Sequence, residues 1–366
     1  MSQQQQPVTH TDVIVVGAGP LGIEMAITLA RANVDYILIE ARQIGDAISR
    51  WPPNTYFFST PEHVALAGVP LHNLDQRNVS GEQYLAYLRT LVEMFDLNLR
   101  LYEPVTAVTR QADSSFMVQT APRRGTQTYR ARYVIMATGG MAGPRLLHIP
   151  GEDLPHVSHY FPGPHPYFRS RVLIVGGRNS AAEAALRCWR VGAQVTLSYR
   201  RPSLDFDRVK PHLSDDLATR LDKGEIGFLP ATVPVKITPH YVELASTEDG
   251  LTANGRTLRH ETDFVLLCTG FTADMDLLAA AGVDLLGERR VPAFDPHTME
   301  TNVPGLFVVG TAAGGTQERF EYFISTTHDH IPRILKAILG HVPADLRLGT
   351  IKARNNAVTW EEVKTN

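Results

Sequence analysis

The chain has 366 residues, room for two domains at about 150 residues each. Its 35 basic and 38 acidic residues leave a formal net charge of −3, which gives no electrostatic footprint for wrapping a polyanion. With 43% hydrophobic residues, sizeable cores are expected. No apolar run approaches the roughly 18 residues of a membrane span, and Met1 to Thr11 lacks the basic and apolar regions of a secretory signal. Cys188 and Cys268 form no CxxC pair and suggest no disulfide framework. The expectation is a soluble cytoplasmic protein that binds neither nucleic acid nor membrane.

The first elements in chain order are a short apolar strand at 12–16, a tight turn, a helix from 23 and a second strand at 36–39. The turn is Gly17, Ala18, Gly19, Pro20, Leu21 and Gly22, a complete G-x-G-x-x-G. Gly17 permits the sharp turn, Gly19 lets the backbone approach a pyrophosphate, and Gly22 lets helix and strand pack closely. The helix then presents its leading amides to the phosphates. Glu40 closes the second strand, where a carboxylate can accept both ribose hydroxyls. Such a motif alone is weak; in strand–turn–helix–strand context with the acid placed, it points to a dinucleotide. Trp51, Tyr56, Phe57 and Phe58 make an aromatic stretch that either stacks on a ring ligand or builds core. A later strand ends in Ala137, Thr138 and Gly139.

The proline-rich stretch from Pro144 to Tyr167 suits a connector or hinge. Its His156, His159 and His165 have no cysteine or acidic partner at metal spacing, and no metal site is expected. A second strand–turn–helix–strand follows at 171–201. Its turn is Gly176, Gly177, Arg178, Asn179, Ser180 and Ala181, with Arg178 in place of the middle glycine. This copy ends in Arg200 and Arg201 instead of an acid, which fits the 2′-phosphate of NADPH. Asp205, Asp207 and Lys210 follow in a loop that reads as solvated, with Lys210 also able to reach that phosphate. A further strand runs into Thr269 and Gly270. Cys188 on the second helix and Cys268 on an apolar strand read as packed structural thiols. Last come a buried strand ending at Gly310 and Thr311, and a helix around 327–339. His328 and His330 on it are open to two readings, a proton donor at the cofactor or a surface or capping histidine.

These repeats predict an α/β fold of two Rossmann-like dinucleotide-binding domains, the NADPH domain inserted in the FAD domain. The expected bounds are 12–155 with 295–345 for FAD, 165–290 for NADPH, and a tail at 346–366. An acid-terminated site for FAD and an arginine-terminated site for NADPH make a hydride relay.

In this arrangement the chain resembles the low-molecular-weight thioredoxin reductases, and within them the bacillithiol-disulfide-reductase-like flavoproteins. The resemblance runs from the first fingerprint to the closing glycine strand. It rests on Phe57-Phe58-Ser59-Thr60-Pro61-Glu62, Pro150-Gly151-Glu152-Asp153-Leu154, Val157-Ser158-His159-Tyr160, Pro166-Tyr167-Phe168 and the turn from Val175 to Ala181. It implies noncovalent FAD, NADPH as donor, and electron transfer to a disulfide. Gly17, Gly19, Pro20, Glu40, Thr138, Gly139 and Gly310 are thereby assigned to FAD. Leu21, Gly22, Ala137 and Thr311 belong to the same motifs. Gly176, Gly177, Asn179, Ser180, Arg200 and Arg201 are assigned to NADPH, with Arg178 in the turn and Thr269 and Gly270 at its border. Thioredoxin reductases place an Asp where Thr311 stands, so one ribityl contact must be made otherwise. Bacillithiol reductases carry a cysteine where this chain has Leu21, and no CxxC compensates. The acceptor is thus open among a low-molecular-weight disulfide, a quinone and a small redox protein, and a homo-oligomer is the expected state. Two further readings compete: a flavin monooxygenase, whose linker motif Phe161-Pro162-Gly163-Pro164-His165 matches in part, and an FAD-binding nucleotide sensor with little turnover.

Overall fold

The computed structural model describes residues 8–248, 253–318, 321–344 and 346–348. From residue 349 on, the tail read as 346–366 lies outside the described residues. The chain divides into two compact units. Met1–Ser49, Asn54–Gly143 and Phe271 onward form the first, and Arg50–Pro53 with Pro144–Gly270 the second.

The first unit is built on a seven-stranded sheet. Strand Thr9–Val16 lies between Tyr36–Ile39 and Gln127–Met136, parallel to both. Leu99–Arg100 extends the sheet beyond Tyr36–Ile39. The long strand Gln127–Met136 serves two neighbours. Its first half forms an antiparallel hairpin with Phe116–Thr120, and its last residues pair in parallel with Leu306–Val308. Val13 to Val16 and Tyr36 to Ile39 are buried throughout, as parallel strands covered on both faces require. Helix Pro20–Arg31 packs against this sheet with an unbroken buried run from Leu21 to Leu29. The fingerprint helix is therefore interior on all sides, beyond what a one-faced amphipathic pattern needs.

The second unit repeats the plan with a five-stranded parallel sheet. Its order is Gly227–Pro230, Gln194–Tyr199, Arg171–Val175, Phe264–Leu267 and Val157–Ser158. Helices Asn179–Arg190 and Pro211–Asp222 bury Ala181, Ala185, Leu186, Leu213 and Leu217 in one core. On its other side a three-stranded antiparallel sheet, Thr232–Ile237, Tyr241–Thr247 and Ala253–Glu261, contributes Ile237, Val242 and Leu244 to a second core with Leu173, Val175 and Val265.

The division corrects the expected boundaries. Residues 271–290, read as the end of the inserted domain, belong to the first unit. Met275, Leu278 and Val283 pack with Phe116, Val118 and Val134 in the core of the seven-stranded sheet. At the other boundary, residues 144–155 belong to the second unit. There Glu152 accepts the amides of Leu147 and His148, at 2.7 Å each, and the Ile237 amide donates to the Pro150 carbonyl.

Candidate active site

In the first unit Val16, Met136 and Val308 stand in register at the carboxyl ends of three adjacent parallel strands. Gly17, the segment Ala137 to Gly139 and Gly310 therefore leave the sheet side by side. This is the switch point at which open α/β sheets bind ligands. Gly17 has φ +107°, and a Cβ there would lie 2.5 Å from the Ala137 carbonyl oxygen. A Cβ on Gly22 would lie 1.9 Å from the Gly17 carbonyl oxygen. Strand, turn and helix thus close on one another only without these side chains. Gly19 differs: a Cβ there would meet nothing within 4 Å. Gly19 is the N-cap of the helix and caps it with no side chain, so the leading amides face open space. That is the arrangement a phosphate group fits.

Glu40 ends the second strand with both carboxylate oxygens engaged. The amides of Ala18 and Arg42 each donate to one of them at 2.8 Å. Burial pushes the Glu40 carboxyl up from its ordinary value, against those two amides and the Arg42 charge. Each oxygen keeps a second lone pair for a hydroxyl donor, so Glu40 shapes the turn and still fits a ribose. Thr138 Oγ1 is buried without a protein partner, an orphan that a ligand at this strand end would satisfy. Thr311 Oγ1 accepts the Gly140 amide at 3.0 Å and so joins two of the three strand ends. Leu21 is buried on the first helical turn. Its Cβ lies 3.1 Å from where a side chain on Gly310 would begin. These residues fit an FAD, through the open helix end, the orphan hydroxyl and the placed acid.

The two histidines are not surface residues; both are buried. His328 Nδ1 lies 2.5 Å from Glu24 Oε2, and its Nε2 lies 3.3 Å from the His63 carbonyl. A carbonyl can only accept, so Nε2 carries a hydrogen and one further proton lies between Nδ1 and Glu24. Burial works against the charged ring, but the hydrogen bond and charge of Glu24 outweigh it and hold His328 above its usual value. The other Glu24 oxygen accepts the Ala67 amide at 2.8 Å. His330 Nδ1 accepts the Gly310 amide at 3.2 Å. Burial, with Arg333 nearby, lowers His330 to about 4, so its ring is neutral. Glu24 was not singled out from the sequence: inside G-I-E-M-A it reads as one polar position of a helix, and its partner stands 304 residues away.

The second unit repeats the geometry. Ser198, Val175 and Leu267 are in register, bringing Gly176, the segment after Leu267 and the Arg200-Arg201 pair to one edge. A Cβ on Gly176 would lie 2.6 Å from the Cys268 carbonyl oxygen, and one on Gly177 would lie 2.5 Å from the Tyr199 ring. Arg178 is the exposed N-cap of helix Asn179–Arg190, extended and without a side-chain cap. Arg200 and Arg201 are exposed. Asn179 Oδ1 accepts the Lys210 amide at 2.9 Å. The second Thr-Gly pair is not like the first. Thr269 Oγ1 donates to the Arg145 carbonyl at 2.8 Å, and the Gly270 carbonyl accepts the Arg145 amide. That pair is spent on chain geometry, whereas the Thr138 hydroxyl is buried without a protein partner.

Cys188 and Cys268 are free thiols in or against the core of the second unit. Burial pushes both up to about 12, far from the thiolate that redox exchange needs. Phe57 builds core, its ring 4.6 Å from that of Tyr84, while Tyr56 and Phe58 are exposed. In the connector, His159 stands 3.4 Å from Glu152 and His156 lies 3.0 Å from the Thr238 carbonyl.

With this geometry in hand, one family and three proteins stand out as similar. The pattern of the family described as pyridine nucleotide-disulphide oxidoreductase matches residues 14–310. Bacilliredoxin reductase Bdr of Bacillus subtilis is 32% identical over 333 residues, 91% of this chain and 96% of the relative. A ferredoxin–NADP reductase of Granulibacter bethesdensis is 28% identical over 322 residues, 85% of this chain and 84% of the relative. The structure of bacillithiol disulfide reductase Bdr (YpdA) from Bacillus cereus matches with TM-score 0.84 at 31% identity, covering 91% of this chain and 99% of that one. Among the described residues, no helix is long and apolar enough to cross a membrane.

Proposed function

Because the chain belongs to the pyridine nucleotide-disulphide oxidoreductase family and is an enzyme with FAD and NADPH as cofactors, we propose that it passes electrons from NADPH to its acceptor without any protein thiol. The observation that carries this reading is Leu21, packed beside Gly310, at the position where the bacillithiol reductases it resembles carry a cysteine. Leucine cannot form a mixed disulfide, and of the two cysteines, both in the second unit, Cys188 is buried and Cys268 half-buried, with both thiols pushed up to about 12. When bound, FAD would supply the chemistry of accepting a hydride from NADPH and passing electrons on.

The chain's own contribution is binding and orientation. The open amides after Gly19 would hold the diphosphate. Glu40, fixed by Ala18 and Arg42, would take the ribose. The Thr138 hydroxyl would bond the cofactor from the middle strand. Gly310, with its amide capped by neutral His330, would close the site. In the second unit, Gly176 to Ser180 would receive the NADPH diphosphate and Arg200 with Arg201 the 2′-phosphate. With Leu21 on the first helical turn, an acceptor would meet no protein thiol there. Similarity to named ferredoxin–NADP reductases favours a one-electron protein carrier, and similarity to bacillithiol disulfide reductase favours a small disulfide.

The test is NADPH oxidation by the Cys188→Ser/Cys268→Ser double variant with each acceptor class in turn: a small disulfide, a quinone and a one-electron carrier protein. Turnover equal to that of the parent is expected with whichever acceptor the parent uses. Loss of turnover with flavin content unchanged would overturn the thiol-free reading.

A further inference from the structure

The loop that follows the arginine pair does not run out into solvent. It folds back over the nucleotide turn and is fastened there. Tyr199 and Leu204 both lie against Gly177, at 2.5 and 2.8 Å from where a Cβ would stand. Six residues after Leu204, the Lys210 amide donates to Asn179 Oδ1 at 2.9 Å. Gly177 and Asn179 are two residues apart, a span of at most about 7 Å. The two ends of the loop, Arg200-Arg201 and Lys210, therefore flank the same short turn.

The fastening has a second effect. Asn179 is the first residue of helix Asn179–Arg190, and Lys210 is the N-cap of helix Pro211–Asp222. One hydrogen bond thus joins the amino ends of two twelve-residue helices, neither of which has a side-chain cap. Asn179 spends its carbonyl oxygen on the loop and not on its own helix, leaving the leading amides of that helix open. Arg208 is paired to Asp205 at 2.9 Å, and Arg200, Arg201 and Lys210 are exposed.

We propose that Lys210 is the third cation of the 2′-phosphate site, with Arg200 and Arg201, and that Asn179 is the positioning residue that holds it there. Coenzyme choice then depends on a loop closure that the Arg-Arg pair alone does not provide. This rests on the assignment of the second unit to NADPH, and the experiment separates the two claims.

The purified flavoprotein is titrated by calorimetry with 2′-phospho-ADP-ribose and with ADP-ribose, which differ only in the phosphate at issue. The parent should bind the phosphorylated ligand more tightly. Lys210→Met should weaken that ligand by about tenfold and leave ADP-ribose nearly unchanged, while Lys210→Arg keeps most of the preference. Asn179→Ala should lose preference in the same direction, and adding it to Lys210→Met should cost little more, because the two act as one unit. If Lys210→Met binds both ligands as the parent does while Arg200→Ala loses the phosphorylated one, Lys210 is not part of the site. Equal weakening of both ligands would place Lys210 on the diphosphate and likewise overturn the proposal. A parent that does not distinguish the ligands would instead sink the coenzyme assignment, and the proposal with it.

Discussion

Gly19 and Gly22 belong to one motif, yet the structure gives them different work, and alanine at each should separate folding from cofactor binding. At Gly22 an added Cβ would sit 1.9 Å from a backbone oxygen and 3.3 Å from the Ala137 methyl. Ordinary contact begins near 3.4 Å, so helix and turn must part by roughly 1.5 Å. The closest clash is with backbone, and the helix is buried from Leu21 to Leu29, which puts the cost near the upper end of the about 1–3 kcal/mol typical of overpacking. At Gly19 the backbone is at φ −73° and ψ −179°, which alanine adopts freely, and no atom lies within 4 Å. Gly19→Ala should therefore change the stability of the flavin-free protein by less than about 1 kcal/mol. Its methyl would instead meet the diphosphate, with the loss of a charge-assisted backbone contact worth about 1.5–3 kcal/mol. FAD affinity should fall by roughly ten- to a hundredfold. Denaturant unfolding of the flavin-free variants, with fluorescence titration by FAD, reads both effects. The reasoning fails if Gly19→Ala binds FAD like the parent, or if it unfolds as easily as Gly22→Ala.

The two buried histidines should give stability a maximum near pH 6.5, the unfolded value of histidine. His330, held at about 4 in the folded protein, contributes stability that is present above about pH 6.5 and lost as pH falls toward 4, amounting to about 3 kcal/mol. His328, raised by Glu24, contributes stability present below about pH 6.5 and lost as pH rises through its folded value. Unfolding measured across pH should show a shallower acid limb in His330→Gln and a shallower alkaline limb in His328→Gln; unchanged limbs would contradict the assignment. Removing one partner of the buried pair, as in Glu24→Ala, should cost about 3–5 kcal/mol, and a double-mutant cycle with His328→Ala that proves additive would deny the coupling. Arg200→Ala should erode the preference of steady-state kcat/KM for NADPH over NADH by roughly tenfold without altering flavin content, and equal use of both donors by the parent would refute the premise.

Both strand–turn–helix units were legible in sequence because their signals are local. A strand, a glycine turn and a helix follow one another within thirty-odd positions, and Gly17 and Gly176 then take backbone angles and close approaches that their motifs require. The acid at Glu40 and the arginines at 200 and 201 mark strand ends, and strand ends are where parallel sheets gather their ligands. The return to the first unit was legible only in part. Helix Asp276–Ala280 has five residues, too short for a periodic pattern, so nothing local tells that Met275 and Leu278 fill the first core. The Glu24–His328 pair was beyond reach for another reason: a buried ion pair depends on two residues being brought together by tertiary packing, and neither shows it alone. The aromatic stretch is intermediate. Its composition pointed to burial or stacking, and only packing against Tyr84 assigns Phe57 to the core.

The most direct test of the account is the visible spectrum of the purified protein, recorded anaerobically before and after one equivalent of NADPH. The account predicts a bound flavin that is released as FAD on denaturation and whose absorption band bleaches on addition of NADPH, in the parent and in the Cys188→Ser/Cys268→Ser variant alike. A protein that takes up no FAD, or a bound FAD that NADPH leaves oxidised, would contradict it.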